Sequence, residues 1–392
     1  VRWVMCIKQK LAANTEGGPA FYIERGLKMP IFAIVFAIVS VISNAITGPT
    51  IQAYNVAESF KTAWGVDPII TAVVLTVIFA LIALGGMKRI GKFAQYVVPF
   101  MALAYIVIAI IVLLANITRI GPMVKLIFSC AFNLNAVFGA IWGQSFMWGI
   151  KRGIFSNEAG FGTGAHAAAS AEVSHPVKQG LAQSFSVYID TLFVCTATGI
   201  MILSTGMYNV QNLAGDGYIV ENIHGVDHGV GYTQAAIDSL LPGTGSGFVA
   251  IAIFFFTLTT LVAFAFNTDA GMSYIFRKKS RRTQKIAINS VLFAMVAITF
   301  FGSMTSTAVA WNIADMGTAI LAWVNLPAII LLSPKVIKIF RDYDRQRKMG
   351  LDPVFEPSKL GIDNAEIWDE IVAEKYSDLL ELKREAERKT NL

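Results

Sequence analysis

The stretch "RGIFSNEAGFGTGAHAAA", residues 152–169, decides the fold of this chain. It places a carboxylate, Glu158, and four glycines between two apolar stretches. Polypeptide inside hydrocarbon must satisfy its own backbone hydrogen bonds, so irregular backbone survives there only beside an enclosed or wet cavity. Glycines lower the cost of non-helical dihedral angles. The pattern fits an aqueous loop or a helix broken near 156–164, and the small helical residues after it favour the broken helix.

The composition around this stretch is that of a membrane protein. The chain has 392 residues, of which 55% are hydrophobic and 15% are charged, whereas soluble domains average about 25% charged residues. Several windows contain the roughly 20 apolar residues that cross a bilayer. We therefore predict an all-α polytopic membrane protein whose solvent is the lipid bilayer.

Several classes of function are excluded by what the sequence lacks. The net charge of +6 comes from basic loops, which membrane orientation explains without nucleic acid. The cysteines and histidines show no spacing typical of a disulfide framework or a metal site. No nucleophile motif is present, and the glycines of 160–164 follow no strand, which argues against a nucleotide site. We predict that the chain is not an enzyme.

The distribution of charge divides the chain into three regions. Residues 1–30 are predicted to form a loop and a short amphipathic segment, 31–333 a core of about eight membrane elements, and 334–392 a charged tail with an amphipathic helix. The stretch 277–285 has six Lys/Arg, whereas 206–243 has none. The positive-inside rule therefore predicts a cytoplasmic tail. We expect a multi-pass protein of a bacterial-type inner (plasma) membrane.

The tail pattern favours a solvated or membrane-surface helix, and binding to a partner is the alternative. Its apolar residues recur at helical spacing with charges between them. No obligatory protein partner is evident from the sequence.

Glu158 is the most informative single residue, because an ionisable group at membrane depth indicates a functional site. It is expected to hold a cation, to pair with Arg152 or Lys151, or to cap the second half of the broken helix. Asp190 and Asp315 are further acids within spans, either proton relays or, more commonly, partners in hydrogen bonds between helices.

Other polar side chains lie in two of the spans. Thr257, Thr259 and Thr260 place hydroxyls within one turn. These either coordinate a hard cation such as sodium or bond back to the carbonyl one turn earlier. Asn44 and Gln52 lie near one end of the first span, where buried amides either join helices or line a path.

Five stretches together resemble one family. They are "KRGIFSNEAGFGTGAHAAASAEVSHPVKQGLAQSFSVYIDTLFVCTATGIMIL" (151–203), "GGPAFYIERGL" (17–27), "GPTIQAYNVAESF" (48–60), "ADMGTAILAWVNLPAIILLS" (314–333) and "DYDRQRKMGLDPVFEPSKLGI" (342–362). The family is that of the alanine or glycine:cation symporters, also called sodium:alanine symporters, and the resemblance runs from about residue 17 to 370. It implies a leucine-transporter-like inverted-repeat fold in which the first and sixth core helices are unwound.

The opening stretch matches the sixth core helix of that fold. The threonine–glycine–asparagine motif of the first unwound helix does not occur after Val1. The chain is therefore expected to lack about three N-terminal spans, and with them one half of the site.

The resemblance also implies a function. We expect secondary active symport of a small neutral amino acid, alanine or glycine, with sodium into the cell by alternating access, with no cofactor beyond the transported ion. A proton-coupled transporter and a transport-inactive sensor or remnant are the alternatives. Thr259 and Thr260 match one half of a sodium site. The substrate-side residues are Gln52, Phe155, Asn157, Glu158, Ala159, Gly160 and Phe264.

Overall fold

A computed structural model of the chain describes residues 9–11, 14–85, 87–132, 138–212, 217–226, 228–365 and 367–390. Most of these residues are helical, in agreement with the predicted class. Two short antiparallel hairpins accompany the helices. Strand β1 (Gln9–Leu11) pairs with β2 (Asn14–Glu16), and β3 (Asn209–Gln211) pairs with β4 (Tyr218–Glu221).

A series of helices follows the N-terminal hairpin along the chain. A helical turn at Pro19–Phe21 continues into a π-helical segment, Tyr22–Gly26, before the first long helix. The helices are α1 (Pro30–Trp64), α2 (Pro68–Gly85), α3 (Met87–Ala115), α4 (Ile117–Phe132), α5 (Phe138–Ser156), α6 (Thr163–Ser170), α7 (Pro176–Thr205), α8 (Val230–Asp238), α9 (Gly245–Ile275), α10 (Arg281–Gly302), α11 (Thr307–Lys348), α12 (Ile367–Lys375) and α13 (Ser377–Thr390). Helices α1 and α7 contain π-helical turns at Ser43–Thr47 and Ile189–Cys195.

Five of these helices, α1, α7, α9, α10 and α11, are long and apolar enough to cross a bilayer. A sixth span is possible if Pro99–Ala115 and Ile117–Ser129, which meet at a bend of 92°, count as one. The sequence predicts about eight elements. The described residues give fewer because the apolar part of α2, Pro68–Ala83, is short and because the α5–α6 element is divided by its break.

Helix α1 lies at the centre of the packing, against α9, α10 and α11. Two glycines permit the close approach of its neighbours. A Cβ on Gly317 of α11 would lie 2.2 Å from Thr47 Oγ1, and one on Gly302 of α10 would lie 2.8 Å from Thr50 Cα. Small residues at such crossings let helix backbones come together. These crossings hold the π-helical turn of α1 and the turn after it against α11 and α10.

The boundary that the sequence predicts between core and tail, after residue 333, falls inside α11. This helix continues through Pro334 to Lys348. Beyond it the chain folds back onto the connection between α6 and α7. Ser174 Oγ donates to the carbonyl of Pro353 at 2.8 Å, and Phe355 N donates to the carbonyl of Ser174 at 3.0 Å.

The tail packs one side of its first helix against the rest of the protein. Trp368 and Val372 of α12 are buried in the same apolar cluster as Phe355 and Phe161. Two apolar side chains of α12 are thus covered by the protein itself, whereas many residues of α12 and α13 are exposed, and the solvated or surface helix stays a prediction. Leu382, on the predicted apolar face, stays exposed.

A buried ion pair fastens this tail. Lys383 is 2% exposed, its Nζ lies 2.8 Å from Glu356 Oε1, and it donates to the carbonyl of Val354 at 3.3 Å. The half-exposed Lys359 lies 3.1 Å from the same carboxylate. Glu356 thus has two cationic partners, Lys383 and Lys359. Among the ion pairs of the described residues, Lys383 has one acidic partner, Glu356.

We expect Glu356→Gln to loosen the tail more than Lys383→Met does. Glutamine leaves the buried Lys383 ammonium without its counter-charge, and removal of one partner of a buried pair costs about 3–5 kcal/mol. In Lys383→Met the carboxylate keeps Lys359. The measurement is the rate of limited proteolysis within residues 349–366, with Lys359→Met as the exposed control. Faster cleavage in Lys383→Met than in Glu356→Gln would contradict the assignment.

The same pair predicts how the tail responds to pH. Burial raises the pKa of the Glu356 carboxyl, but the hydrogen bonds and charges of Lys383 and Lys359 outweigh burial and hold that pKa below its usual value. A carboxyl with a depressed folded pKa stabilises fully above its unfolded pKa, and this contribution is lost as the pH falls through the folded pKa. Acid should therefore speed cleavage in the wild type, and less so in Glu356→Gln.

Candidate functional site

The break in the α5–α6 element lies within the predicted range. Helix α5 ends at Ser156 and α6 begins at Thr163. Between them Glu158, Gly160 and Gly162 have positive φ angles of 48°, 86° and 87°. A non-glycine residue in this left-handed region is uncommon, so the conformation of Glu158 is maintained by its surroundings.

A small cavity lies on one side of the unwound segment. Its volume is about 220 Å³, below the roughly 300–1,000 Å³ of pockets for drug-sized ligands, so it suits a small solute. Five predicted residues line it: Gln52, Phe155, Glu158, Thr260 and Phe264. Polar side chains of α1 and α11 line it as well, namely Ser43, Asn44, Thr47 and Thr318.

A larger cavity of about 750 Å³ lies on the other side of the segment. The remaining substrate-side residues, Asn157, Ala159 and Gly160, line this second cavity. Ser156 and Glu158 line both. The residues expected to form one site are therefore divided between two cavities, and the unwound segment is the wall between them.

Glu158 is part of this wall, and its carboxylate has one hydrogen-bond partner on α6. It accepts a hydrogen bond from Thr163 Oγ1, the first residue of α6. Within the described part of the chain, no lysine or arginine makes an ion pair with it. The expected pairing with Arg152 or Lys151 is therefore wrong, and the contact with Thr163 is closest to the capping alternative. The carboxylate keeps lone pairs for a further partner.

Lys151 and Arg152 instead bind Asp315 of α11. Lys151 Nζ lies 2.6 Å from Asp315 Oδ2, and Arg152 binds the other carboxylate oxygen. The guanidinium carbon of Arg152 lies 4.9 Å from the ring centroid of Trp311 and 5.2 Å from that of Phe155. Asp315 thus joins α5 to α11, as expected of a helix-to-helix contact, and the cluster fixes the ring of Phe155 at the small cavity.

Two contacts tie the break to α7. Ser156 Oγ donates to Asp190 Oδ2 at 2.6 Å, and Asn157 Nδ2 donates to Thr191 Oγ1 at 3.0 Å. Both partners lie in the π-helical turn of α7. Asp190 is therefore also a helix-to-helix partner, and the Asn157 amide is engaged by protein atoms.

The α9 threonines separate into distinct environments. Thr259 and Thr260 both donate to the carbonyl of Phe256, at 2.8 and 2.9 Å, as the back-bonding alternative expects. Thr260 lines the small cavity, and Thr259 is not among its lining residues. Thr257 Oγ1 donates to Gln52 Oε1 at 3.2 Å and so orients that amide. A hydroxyl that donates its proton still has lone pairs for a cation.

Phe264 is held against α1 by a glycine. A Cβ on Gly48 would lie 2.5 Å from Cε2 of the Phe264 ring. The ring therefore occupies space that only glycine leaves open, and it closes one side of the small cavity.

Sequence reasoning missed Asn325 of α11, which contacts the unwound segment, and Tyr22 of the N-terminal π-helical segment, which donates to Asn325. An asparagine in the apolar stretch "AWVNLPAII" was the available signal, because a buried amide requires partners. Nothing local in the sequence indicates which partners it has.

The family model described as "Sodium:alanine symporter family" matches residues 5–357. A putative sodium/proton-dependent alanine carrier protein of Bacillus subtilis, YrbD, is 47% identical over 92% of this chain and 74% of its own length.

Two further relatives agree. A sodium/proton-dependent alanine carrier protein of Bacillus sp. strain PS3 is 46% identical over 84% of this chain and 73% of its own length. A sodium/alanine symporter of Methanococcus maripaludis, AgcS, is 35% identical over 88% of this chain and 74% of its own length.

Proposed function

Because the chain belongs to the sodium:alanine symporter family, we propose that it carries alanine or glycine together with sodium into the cell. The family is one of amino-acid:cation transporters, so the chain is a multi-pass membrane transporter and not an enzyme. The observation that carries the proposal is the position of Glu158, on unwound backbone between two cavities.

We propose that the small cavity takes the amino acid. Phe155 and Phe264 form its apolar walls, and the Gln52 amide, oriented by Thr257, supplies a polar contact. Its volume leaves little room beyond a small side chain. Sodium, a hard cation, prefers oxygen ligands, and Thr260 Oγ1 with Glu158 offers them in the same cavity.

We propose that the larger cavity is the second half of the path that the amino acid takes through the protein. Asn157, Ala159 and Gly160 line it, so a solute that passes the unwound segment meets these residues next. Movement of the segment, with rocking of one helix group against another around the site, would give alternating access. In this proposal the chain has the leucine-transporter-like arrangement, and α5 and α6 are the two halves of its unwound sixth core helix.

We further propose a plasma-membrane location with the tail and the basic connection between α9 and α10 in the cytoplasm, on the charge asymmetry of the loops. The mechanism requires no cofactor beyond the co-transported cation and no obligatory protein partner.

Proton coupling is a second candidate, and a specific observation favours it. Glu158 is a partly buried carboxyl that both cavities reach, and intramembrane carboxyls serve proton relays. Two of the relatives are named sodium/proton-dependent carriers.

Uptake of labelled alanine into proteoliposomes tests both candidates. Sodium coupling predicts uptake that follows an imposed sodium gradient and is lost when choline replaces sodium. Uptake that persists in choline and follows a pH gradient would establish proton coupling instead. Absence of alanine and glycine uptake under every gradient would refute the proposal.

A further inference from the structure

Asn325 of α11 uses both ends of its side-chain amide on different parts of the molecule. The residue is fully buried. Its Nδ2 donates to the carbonyl of Gly160 at 2.7 Å, and its Oδ1 accepts a hydrogen bond of 2.5 Å from the hydroxyl of Tyr22. One amide thus connects the N-terminal π-helical segment, α11 and the unwound segment.

The contact with Gly160 satisfies a carbonyl that the break leaves without a regular helical partner. Buried backbone carbonyls that lack a partner are costly, and more so in hydrocarbon. The fit around the contact is close. A Cβ on Gly162 would lie 3.1 Å from Asn325 Nδ2 and 2.5 Å from Cγ of Pro19. The unwound segment therefore rests against Asn325 and the turn that precedes Tyr22.

The same residues lie where the larger cavity meets the segment. Tyr22, Asn325 and Gly160 all line that cavity, whereas none of them lines the small one. A movement that connects the two cavities displaces the unwound segment from Asn325. The hydrogen bond between Asn325 and Gly160 must then break, or Asn325 must move with the segment.

We propose that Asn325 is the positioning residue that holds the unwound segment as the wall between the two cavities, and that Tyr22 locks Asn325 in the bonding rotamer. The inference rests on the proposed transport function. The hydrogen bond between Asn325 and Gly160 stabilises the state in which the two cavities are separate relative to the state in which they are connected. A ligand or a substitution shifts such an equilibrium by the difference between its effects on the two states. Loss of the bond therefore weakens retention of the amino acid without removing any group from the small cavity.

Tyr22→Phe and Asn325→Leu test the proposal, with Tyr105→Phe as the matched control. Tyr105 makes a comparable hydrogen bond, 2.6 Å to Thr198 Oγ1, between α3 and α7 in a different apolar cluster. The first readout is hydrogen–deuterium exchange of residues 157–164 in the purified full chain, which reports local opening. We expect exchange there to rise roughly fivefold in Tyr22→Phe, as for the loss of one hydrogen bond. The rise should be larger in Asn325→Leu, and Tyr105→Phe should leave exchange there unchanged.

The second readout is the split between KM and the maximal rate of alanine uptake. A positioning role raises KM several-fold in Tyr22→Phe and keeps the maximal rate, whereas a purely structural role lowers the maximal rate with the amount of folded protein. Tyr22→Phe removes a single hydroxyl, so the test survives if Asn325→Leu does not fold.

The proposal would be overturned if residues 157–164 exchanged at the wild-type rate in both Tyr22→Phe and Asn325→Leu. It would also be overturned if the exchange rate rose equally across the whole chain. The exchange measurement needs no transport. If the wild type takes up no amino acid but the local exchange changes as expected, the transport function fails and the positioning role stands.

Discussion

Replacing Glu158 with glutamine is expected to reduce alanine uptake about tenfold or more in protein that remains folded. Glutamine keeps an oxygen that accepts from Thr163 Oγ1, so the local hydrogen bond survives. What is lost is the negative charge on the wall between the two cavities. A hydrogen bond or ion contact to a charged group contributes about 1.5–3 kcal/mol, and about 1.4 kcal/mol corresponds to tenfold.

The control for Glu158→Gln is Glu370→Gln, which changes an exposed tail carboxylate in the same way. We expect the control to transport like the wild type. Exchange of residues 157–164 in Glu158→Gln should stay near that of the wild type, which separates a lost charge from a lost conformation. Full sodium-driven uptake in Glu158→Gln would exclude this carboxylate from cation coupling.

The Glu158 substitution also discriminates between the two coupling ions. A proton carrier loses its titrating group in glutamine, so the dependence of uptake on pH should disappear along with the rate. If the carboxylate serves sodium, the residual uptake should instead require a higher sodium concentration for half-maximal rate. Titration of sodium at two pH values in the variant distinguishes these outcomes.

The sequence predicts best those elements whose conformation is determined by neighbouring residues. The long apolar windows of α1, α9 and α11 have the length and composition of membrane-spanning helices. The glycine cluster at 160–164 indicated the break, because the positive φ angles at Gly160 and Gly162 favour glycine.

Contacts between distant parts of the chain were beyond that reasoning. Arg152 was expected near Glu158, but its carboxylate partner Asp315 is 163 residues away in the chain. Tyr22 and Asn325 are separated by 303 residues. Helical periodicity identified an apolar face on the tail but not what covers it: Leu382 of that face is exposed, and Trp368, beside it, is buried.

Gly162→Ala is expected to be the most damaging single-methyl change in the opening stretch. Its φ of 87° is left-handed, which costs a residue with a Cβ about 1–2 kcal/mol. The new methyl would also lie 2.5 Å from Cγ of Pro19 and 3.1 Å from Asn325 Nδ2. Relief of these contacts must move the unwound segment away from Asn325, so both thermal stability and uptake should fall.

Gly164→Ala is the matched control, two residues further along the same cluster. Gly164 lies inside α6, and a Cβ there would meet Gln183 Oε1 at an ordinary 3.6 Å. Alanine is also the better helix former, by about 1 kcal/mol. Gly164→Ala should therefore keep the melting temperature and the uptake of the wild type. Since both changes add one methyl to one glycine cluster, equal losses in the two variants would mean that the break does not lie where Gly162 turns the chain. A selective loss in Gly162→Ala ties transport to that turn and to its contact with Asn325.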